Sequence, residues 1–118
     1  MKVAVVGSRG LTADALGRWE QYVPIGCSEI ISGGAVGVDT LAERFARAEG
    51  LSLTVLRPDY DQFDKIAPLI RNEAIVRQAD YVLILWDGRS KGTLHVIKTC
   101  MKTEKPYKLL LFKPSRER

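Results

Sequence analysis

The sequence predicts an α/β fold, a single domain with a five-stranded parallel sheet in spatial order 3-2-1-4-5 and helices on both faces. Short apolar runs alternate with amphipathic stretches along the chain, in the order βαβαβαβαβ. The first, fourth and fifth runs are nearly continuous in Val, Ile and Leu, which is typical of strands that helices cover on both faces. The 118 residues suit one domain with a modest core.

The apolar runs define the five strands. They are predicted over Lys2–Val6, Glu29–Ser32, Ser52–Leu56, Tyr81–Trp86 and Lys108–Phe112. The domain is assigned to residues 1–113, and residues 114–118 are interpreted as a basic C-terminal tail. In an open parallel sheet of this order, ligands bind outside the carboxyl ends of the strands, at the switch between the first and fourth strands.

Four amphipathic stretches are predicted to be the helices. They span Ala13–Val23, Val38–Glu49, Pro68–Gln78 and Thr93–Lys102. Thr12 is suited to cap the first helix, Gly50 to end the second and Pro68 to begin the third. The residues expected on the buried faces of the first two helices are Leu16, Trp19 and Val23, and then Val38, Leu41, Phe45 and Ala48. The polar segment 59–64 is interpreted as a flap or as an ordinary βα connection.

Composition narrows the function classes. No apolar run approaches the roughly 20 residues of a membrane span, and the chain begins directly in a strand pattern rather than in a signal peptide. Cys27 and Cys100 are interpreted as reduced core residues, which fits a cytoplasmic protein. With His95 as the single histidine, we expect no metal site, and we expect no cofactor. The net charge of +4 permits anionic ligands without requiring them.

Three of the four βα loops are rich in glycine, and each leads into a helix. They cover residues 7–10, 32–39 and 86–93. Glycine lets backbone N–H groups approach a ligand closely, and a helix N-terminus adds unpaired donors and partial positive charge. One such loop is explained by a tight turn alone, but three at one sheet edge favour a phosphate or carboxylate site. Neither the dinucleotide fingerprint nor the Walker spacing is present, which argues against a Walker-type ATPase.

The motifs "VVGSRG", "IISGGAVGVDTLAERFA", "RP", "PLIRNEAIV", "AD" and "WDGRSKGT" occur in this order over nearly the whole chain. As a set they resemble the YspA-type branch of the SLOG superfamily, which also includes DprA (Smf) and the Lonely Guy phosphoribohydrolases. The resemblance implies a Rossmann-like fold and a nucleotide or nucleotide-derived ligand at the glycine loops. It also implies a homodimer, because Lonely Guy relatives pair.

The resemblance also carries over a set of binding positions. Together with the loop hydroxyl of Ser90, the candidate ligand-binding residues are Gly7, Ser8, Arg9, Gly33, Gly34, Gly37, Asp39, Arg71, Asn72, Asp87, Gly88, Ser90, Gly92 and Thr93. Branch members commonly have arginine where this chain has Val36, so one cation is lost from the second loop. Of the single residues, Arg9 is favoured as a ligand contact, whereas Asp39 is equally compatible with a role at the helix start. Trp86 is interpreted as core and His95 as a surface residue.

Four functions are compatible with these residues. The main hypothesis is the binding of a nucleotide or nucleotide-derived molecule, for sensing or for hydrolysis. The alternatives are a single-stranded nucleic-acid binding module similar to DprA, a phosphoribohydrolase-like enzyme, and a structural or partner-binding domain with a vestigial site. Lonely Guy enzymes resemble P-G-G-x-G-T-x-x-E, but Val96 stands where that glutamate would fall, and no complete acid–base pair replaces it. A binding module is therefore favoured over an enzyme, and the catalytic residues stay unassigned.

Overall fold

A computed structural model describes residues 1–113, so the predicted basic tail at 114–118 lies outside the described residues. The sheet has five parallel strands in the order β3-β2-β1-β4-β5, as the sequence predicts. The strands are β1 (Lys2–Gly7), β2 (Glu29–Ser32), β3 (Ser52–Val55), β4 (Tyr81–Trp86) and β5 (Tyr107–Leu111). β1 lies at the centre, where Ala4 is in register with Ile31 of β2 and Val82 of β4.

Helices pack on both faces of the sheet and form two buried layers. The helices are α1 (Ala13–Leu16), α2 (Val38–Ala48), α3 (Tyr60–Phe63), α4 (Ala67–Gln78) and α5 (Lys91–Thr103). α1 and α2 cover one face, where Leu16 and Ala42 pack against Val3 and Val5. α4 and α5 cover the other face. None of the helices within residues 1–113 is long and apolar enough to cross a membrane.

The predicted first helix over Ala13–Val23 is wrong in its extent. α1 ends after one turn, because Gly17 adopts a left-handed φ of 57° and its N–H bonds back to the carbonyl of Ala13. A separate 3₁₀ turn follows over Trp19–Tyr22. The side chains of Leu16 and Trp19 are nevertheless buried, so the apolar pattern indicated the correct inward residues but not the break between them.

The predicted buried face of the second helix is rotated. Besides Val38, the residues of α2 that are buried are Asp39, Ala42 and Ala46. Leu41 and Phe45 are only half-buried, and Ala48 is exposed. Two alanines let the helix axis approach the sheet closely, while larger side chains pack at the periphery. Phe45 contacts Trp19 edge-on there, with ring centroids 5.5 Å apart.

The polar segment before the third predicted helix is partly helical. α3 is a single turn that Asp59 caps, since its carboxylate accepts a hydrogen bond from the backbone N–H of Gln62 at 3.2 Å. A 3₁₀ turn over Asp64–Ile66 then joins α3 to α4. The segment is therefore a structured connection on the side of the sheet that α4 and α5 occupy.

Candidate functional site

A cleft of about 360 Å³ opens at the carboxyl ends of β1 and β4, at the switch in strand order. All candidate residues line it except Gly34, Gly37 and Gly88. The residues in the cleft are Gly7, Ser8, Arg9, Gly33, Asp39, Arg71, Asn72, Asp87, Ser90, Gly92 and Thr93. The topology thus brings three separate loops and the start of α4 to one place.

Ser8 joins the first loop to the loop after β4. Its side chain is 1% exposed, and its Oγ lies 2.9 Å from the Oγ of Ser90. The same oxygen accepts a hydrogen bond from the backbone N–H of Asp87 at 3.0 Å. Ser8 therefore fixes the relative position of the two loops, so its hydroxyl is largely engaged before any ligand arrives.

Two glycines allow the loops to approach this closely. A Cβ at Gly7 would lie 2.4 Å from the carbonyl oxygen of Leu85 and 2.6 Å from Cγ2 of Val38. Gly37 has a φ of 82°, and a Cβ there would lie 2.7 Å from the carbonyl oxygen of Arg9. Both positions therefore exclude a side chain, and Gly37 packs against the backbone of Arg9 without lining the cleft.

Arg9 stands at the mouth of the cleft with its side chain exposed. Within residues 1–113 its guanidinium makes no hydrogen bond and no ion pair. The two carboxylates that line the cleft, Asp39 and Asp87, both accept hydrogen bonds from backbone N–H groups. The forked donor of Arg9 is therefore available to an anion in the cleft.

The first turn of α5 forms another wall of the cleft. No side chain caps its N-terminus, and its first turn contains no acidic residue. Thr93 is 5% exposed and lines the cleft, and its hydroxyl has no hydrogen-bond partner in the described part of the chain. Uncapped N–H groups beside an unpartnered hydroxyl are the donors that a phosphate or carboxylate oxygen accepts from.

Asp39 makes the start of α2 different from the start of α5. The side chain is 6% exposed, and its Oδ2 accepts a hydrogen bond from the backbone N–H of Ala35 at 3.1 Å. Burial raises the pKa of Asp39 to about 6, although this hydrogen bond and the positive charge of Arg71 act against the increase. The buried carboxylate therefore occupies the α2 N-terminus itself.

Arg71 and Asn72 connect α4 to the glycine loops. Arg71 donates from Nη1 to the carbonyl oxygen of Gly33 at 2.5 Å and from Nε to Oδ1 of Asn72 at 2.9 Å. Asn72 in turn donates to the carbonyl oxygen of Gly92 at 3.4 Å. Burial lowers the pKa of Arg71, while Asp39 counteracts that shift. The pair thus holds two loops in place. Arg71 also packs tightly against Gly33, because a Cβ at Gly33 would lie only 2.7 Å from Nη1 of Arg71.

Asp87 closes the turn before α5. One carboxylate oxygen accepts hydrogen bonds from the backbone N–H groups of Arg89 at 2.8 Å and Ser90 at 2.9 Å. Burial alone would raise the pKa of Asp87, but these bonds and one involving Ser8 outweigh it and lower the pKa. Asp87 therefore stays ionised and caps the turn, as Asx residues commonly do.

The remaining candidates have backbone roles outside the cleft. Gly34, with a φ of 75°, packs against Arg57, which donates from Nη1 to the Gly34 carbonyl at 3.2 Å. Gly88, with a φ of 82°, provides the turn after β4. Trp86 is half-buried and donates from Nε1 to the carbonyl oxygen of Ser90 at 3.0 Å, so it stabilises the loop.

Several lining residues are absent from the sequence-based set. They are Val6, Gly10, Ala35, Pro68, Ile75 and Val96. Pro68 and Ile75 lie one turn before and one turn after the Arg71–Asn72 pair, so helical spacing from that pair would have identified them. No group of three or more His, Cys, Asp or Glu side chains within residues 1–113 is placed to hold a metal ion.

Comparison with solved structures identifies the fold. DNA processing protein A (DprA) from Streptococcus pneumoniae superposes with a TM-score of 0.74 at 22% identity, covering 92% of this chain and 49% of that protein. Its counterpart from Helicobacter pylori, whose structure is described for its single-stranded DNA binding mode, has a TM-score of 0.70 at 24% identity. The fold is similar to that of DprA. No protein-family model and no curated protein sequence matches the chain.

The similarity to DprA concerns only part of those proteins. The chain spans about half the length of the S. pneumoniae protein and 66% of the H. pylori protein, although 98% of this chain is covered in the second case. The likeness confirms a Rossmann-like fold similar to that of DprA, which the motifs imply. It does not extend to the YspA-type branch, which stays a prediction from the motifs.

Proposed function

We propose that the cleft binds a phosphate group of single-stranded nucleic acid and that the protein is a binding module. The observation that carries this proposal is that two residues without side-chain partners line one cleft: Thr93, at the uncapped start of α5, and Arg9. N–H groups, a hydroxyl and a forked cation converge on one concave surface. A phosphate oxygen accepts from all three kinds of donor.

The fold supports nucleic acid over other phosphate ligands. The H. pylori protein of similar fold is described as binding single-stranded DNA. The net charge of +4 favours association with a polyanion. The motifs that resemble the YspA-type branch of the SLOG superfamily are compatible with this assignment, because that superfamily includes DprA.

The carboxylates of the cleft argue against a phosphoribohydrolase. Asp39 and Asp87 both accept hydrogen bonds from backbone N–H groups that hold their loops. Val96, at the position of the Lonely Guy glutamate, lines the cleft with an apolar side chain that is 2% exposed. The cleft thus lacks a free general acid at that position.

A nucleotide-derived small molecule is the second candidate ligand. A volume of about 360 Å³ lies in the range of small-molecule pockets, roughly 300–1,000 Å³. The apolar side chains of Ile75 and Val96 line the same space as the polar loops. A mononucleotide with its phosphate at α5 fits the same chemistry as one unit of a longer strand.

A fluorescence anisotropy titration tests both candidates. We expect a labelled oligonucleotide of 20 thymidylates to bind at 50 mM salt and to bind much more weakly at 200 mM, because counterion release governs phosphate binding. AMP and ADP-ribose are then added as competitors. A rise in the melting temperature with AMP or ADP-ribose, in a protein that does not bind the oligonucleotide, would favour the second candidate. Absence of binding by every probe at 50 mM salt would exclude both.

Two further predictions from the sequence accompany this proposal. The protein forms a homodimer and acts in the cytoplasm. Sedimentation equilibrium of the purified chain measures the first directly, and a monomer at micromolar concentration would contradict it. Nucleic-acid binding by one cleft does not depend on either statement.

A further inference from the structure

A second concave surface lies between α4 and α5, on the sheet face that these helices cover. We call it the α4–α5 groove; it encloses about 600 Å³. The charged and titratable residues that line it are Glu73, Arg77, His95, Lys98, Lys102 and Lys105. The groove runs from the middle of both helices towards their C-terminal ends, away from the glycine loops.

The charge of the groove is strongly positive. Lys98 and Lys102 lie one turn apart on α5, and Arg77 faces them from α4; all three side chains are exposed. Within residues 1–113 these three cations make no hydrogen bond and no ion pair. Lys105 differs, because its Nζ donates to the carbonyl oxygen of Ala79. The one acidic side chain, Glu73, lies 3.9 Å from His95.

The uncharged part of the groove offers little to a peptide backbone. The hydroxyls of Thr99 and Thr103 donate to the helix carbonyls of His95 and Thr99, each at 2.8 Å. Val76 contributes a buried apolar floor. Recognition in the groove therefore depends on cations above an apolar surface, which favours a nucleic-acid strand over an acidic peptide that needs hydrogen-bonding partners.

The groove begins beside the cleft. Asn72 lines the cleft, and its Nδ2 lies 3.3 Å from Nδ1 of His95, which lines the groove. One pair of side chains thus separates the two surfaces. A strand with one phosphate at the start of α5 reaches the groove without crossing the sheet edge.

We infer that a single strand of nucleic acid leaving the cleft continues along the α4–α5 groove, where its phosphates contact Arg77, Lys98 and Lys102. This inference rests on the proposed function of the cleft. It assigns the groove to the additional nucleotides of a long strand, which a mononucleotide or a trinucleotide does not supply. The groove thereby sets the minimum length of a tightly bound strand.

The double variant Lys98→Ala/Lys102→Ala tests the inference against two probes, oligonucleotides of three and twenty thymidylates. For the longer probe we expect the salt slope to fall by about 1.4, at roughly 0.7 for each lost phosphate contact. The ratio of affinities at 50 and 200 mM salt then decreases about sevenfold. Affinity for the shorter probe stays at the parent value, because three nucleotides do not reach the groove. The ligand-free melting temperature also stays at the parent value, because both lysines are exposed.

The control is Arg44→Ala/Arg47→Ala, which removes the same charge from exposed positions of α2 on the opposite face of the sheet. We expect it to keep the parent's salt slope. If the groove variant binds the longer probe with the same salt slope as the parent, the inference is overturned. If the parent binds neither probe, the cleft proposal falls as well. A reduced salt slope for the longer probe, with unchanged affinity for the shorter one, supports the assignment of the groove.

Discussion

Arg9 is the cation of the cleft that has no structural partner within the described residues. Arg71, by comparison, is committed to Gly33 and Asn72, although the sequence motif places both arginines in the same set. The two residues therefore contribute differently. Removing Arg9 deletes a hydrogen-bond donor that is available to a ligand. Removing Arg71 instead deletes hydrogen bonds that hold the loops in place.

Arg9→Ala is predicted to weaken oligonucleotide binding by about tenfold to a hundredfold, which corresponds to the roughly 1.5–3 kcal/mol of a hydrogen bond from a charged group. The ligand-free melting temperature is expected to stay within about 1–2 °C of the parent, because the side chain is exposed. Anisotropy and thermal melts measure the two quantities, and Arg47→Ala on α2 is the control. A large drop in the ligand-free melt would show that Arg9 serves the fold first.

Asp39 is the residue from which we expect a pH dependence of protein stability. Its pKa of about 6 in the folded state lies above the ordinary 3.8. Between these values the folded state holds a proton that the unfolded state has released, so stability falls as pH rises from about 4 to 6. Above pH 6 the ionised form costs about 3 kcal/mol by this linkage. Arg71 and Glu43 are the charged groups that act on it, with opposite signs.

Asp39→Asn is predicted to raise the free energy of unfolding at pH 8 by about 1–3 kcal/mol, since the amide oxygen still accepts from Ala35 without a buried charge. The decrease in stability between pH 4 and 6 should flatten. Urea unfolding at pH 4, 6 and 8 measures both effects. Asp61→Asn, at an exposed position, is the matched control. An Asp39→Asn protein less stable than the parent at pH 8 would refute this account of the buried carboxylate.

The sequence was sufficient to place these residues at one sheet edge. It was not sufficient to tell the residues that are available to a ligand from those that hold the loops. Glycine and serine at strand ends predict a loop, and parallel strands bring their loops together. Whether Arg71 contacts a ligand or the carbonyl of Gly33 depends on how far α4 lies from the second loop. That distance follows from packing between elements far apart in the chain, which periodicity does not report.

At the scale of elements, the glycines of the loops are not equivalent. A Cβ at Gly7 would meet backbone and side-chain atoms of β4 and α2, whereas a Cβ at Gly92 in α5 would meet nothing within 4 Å. The first glycine is required for packing between elements. Gly92 has room for a side chain, although both glycines belong to the motifs that resemble the YspA-type branch.

Gly7→Ala is predicted to destabilise the protein by more than about 3 kcal/mol, because the new methyl overlaps the carbonyl oxygen of Leu85 and forces β1 away from β4. Gly92→Ala should change stability by less than about 1 kcal/mol, in the stabilising direction, since alanine is the better helix former. Urea unfolding of the two variants compares them directly. Equal stabilities would contradict the close approach of the strands at Gly7.

Element boundaries were the least predictable part of the sequence. The apolar positions of 13–23 fit one helix, yet Gly17 splits them into α1 and a 3₁₀ turn. In α2 the large side chains Leu41 and Phe45 suggest the inward face, but alanines occupy it because the helix packs close to β1 and β2. Hydrophobicity reports which residues avoid water, while helix-to-sheet distance decides which of them fit beneath the helix.

The whole-molecule topology was predictable because continuous apolar strands can only be buried between two helical layers. Strand order followed from the rule for doubly wound sheets, and it located the cleft between β1 and β4. The α4–α5 groove was not predictable in the same way. Its cations are scattered over two helices as ordinary surface residues, and only the packing of α4 against α5 brings them to one side.

The most direct test of the central claim is an amide NMR titration of the full chain with the 20-residue thymidylate oligonucleotide at low salt. The proposal predicts shifts in the backbone amides of the cleft, above all Arg9, Gly92 and Thr93, with the amides of α2 beyond its first turn unmoved. Raising the salt to 200 mM should reverse these shifts. Shifts absent from the start of α5, or located on the α2 face instead, would contradict the claim that this cleft binds a nucleic-acid phosphate.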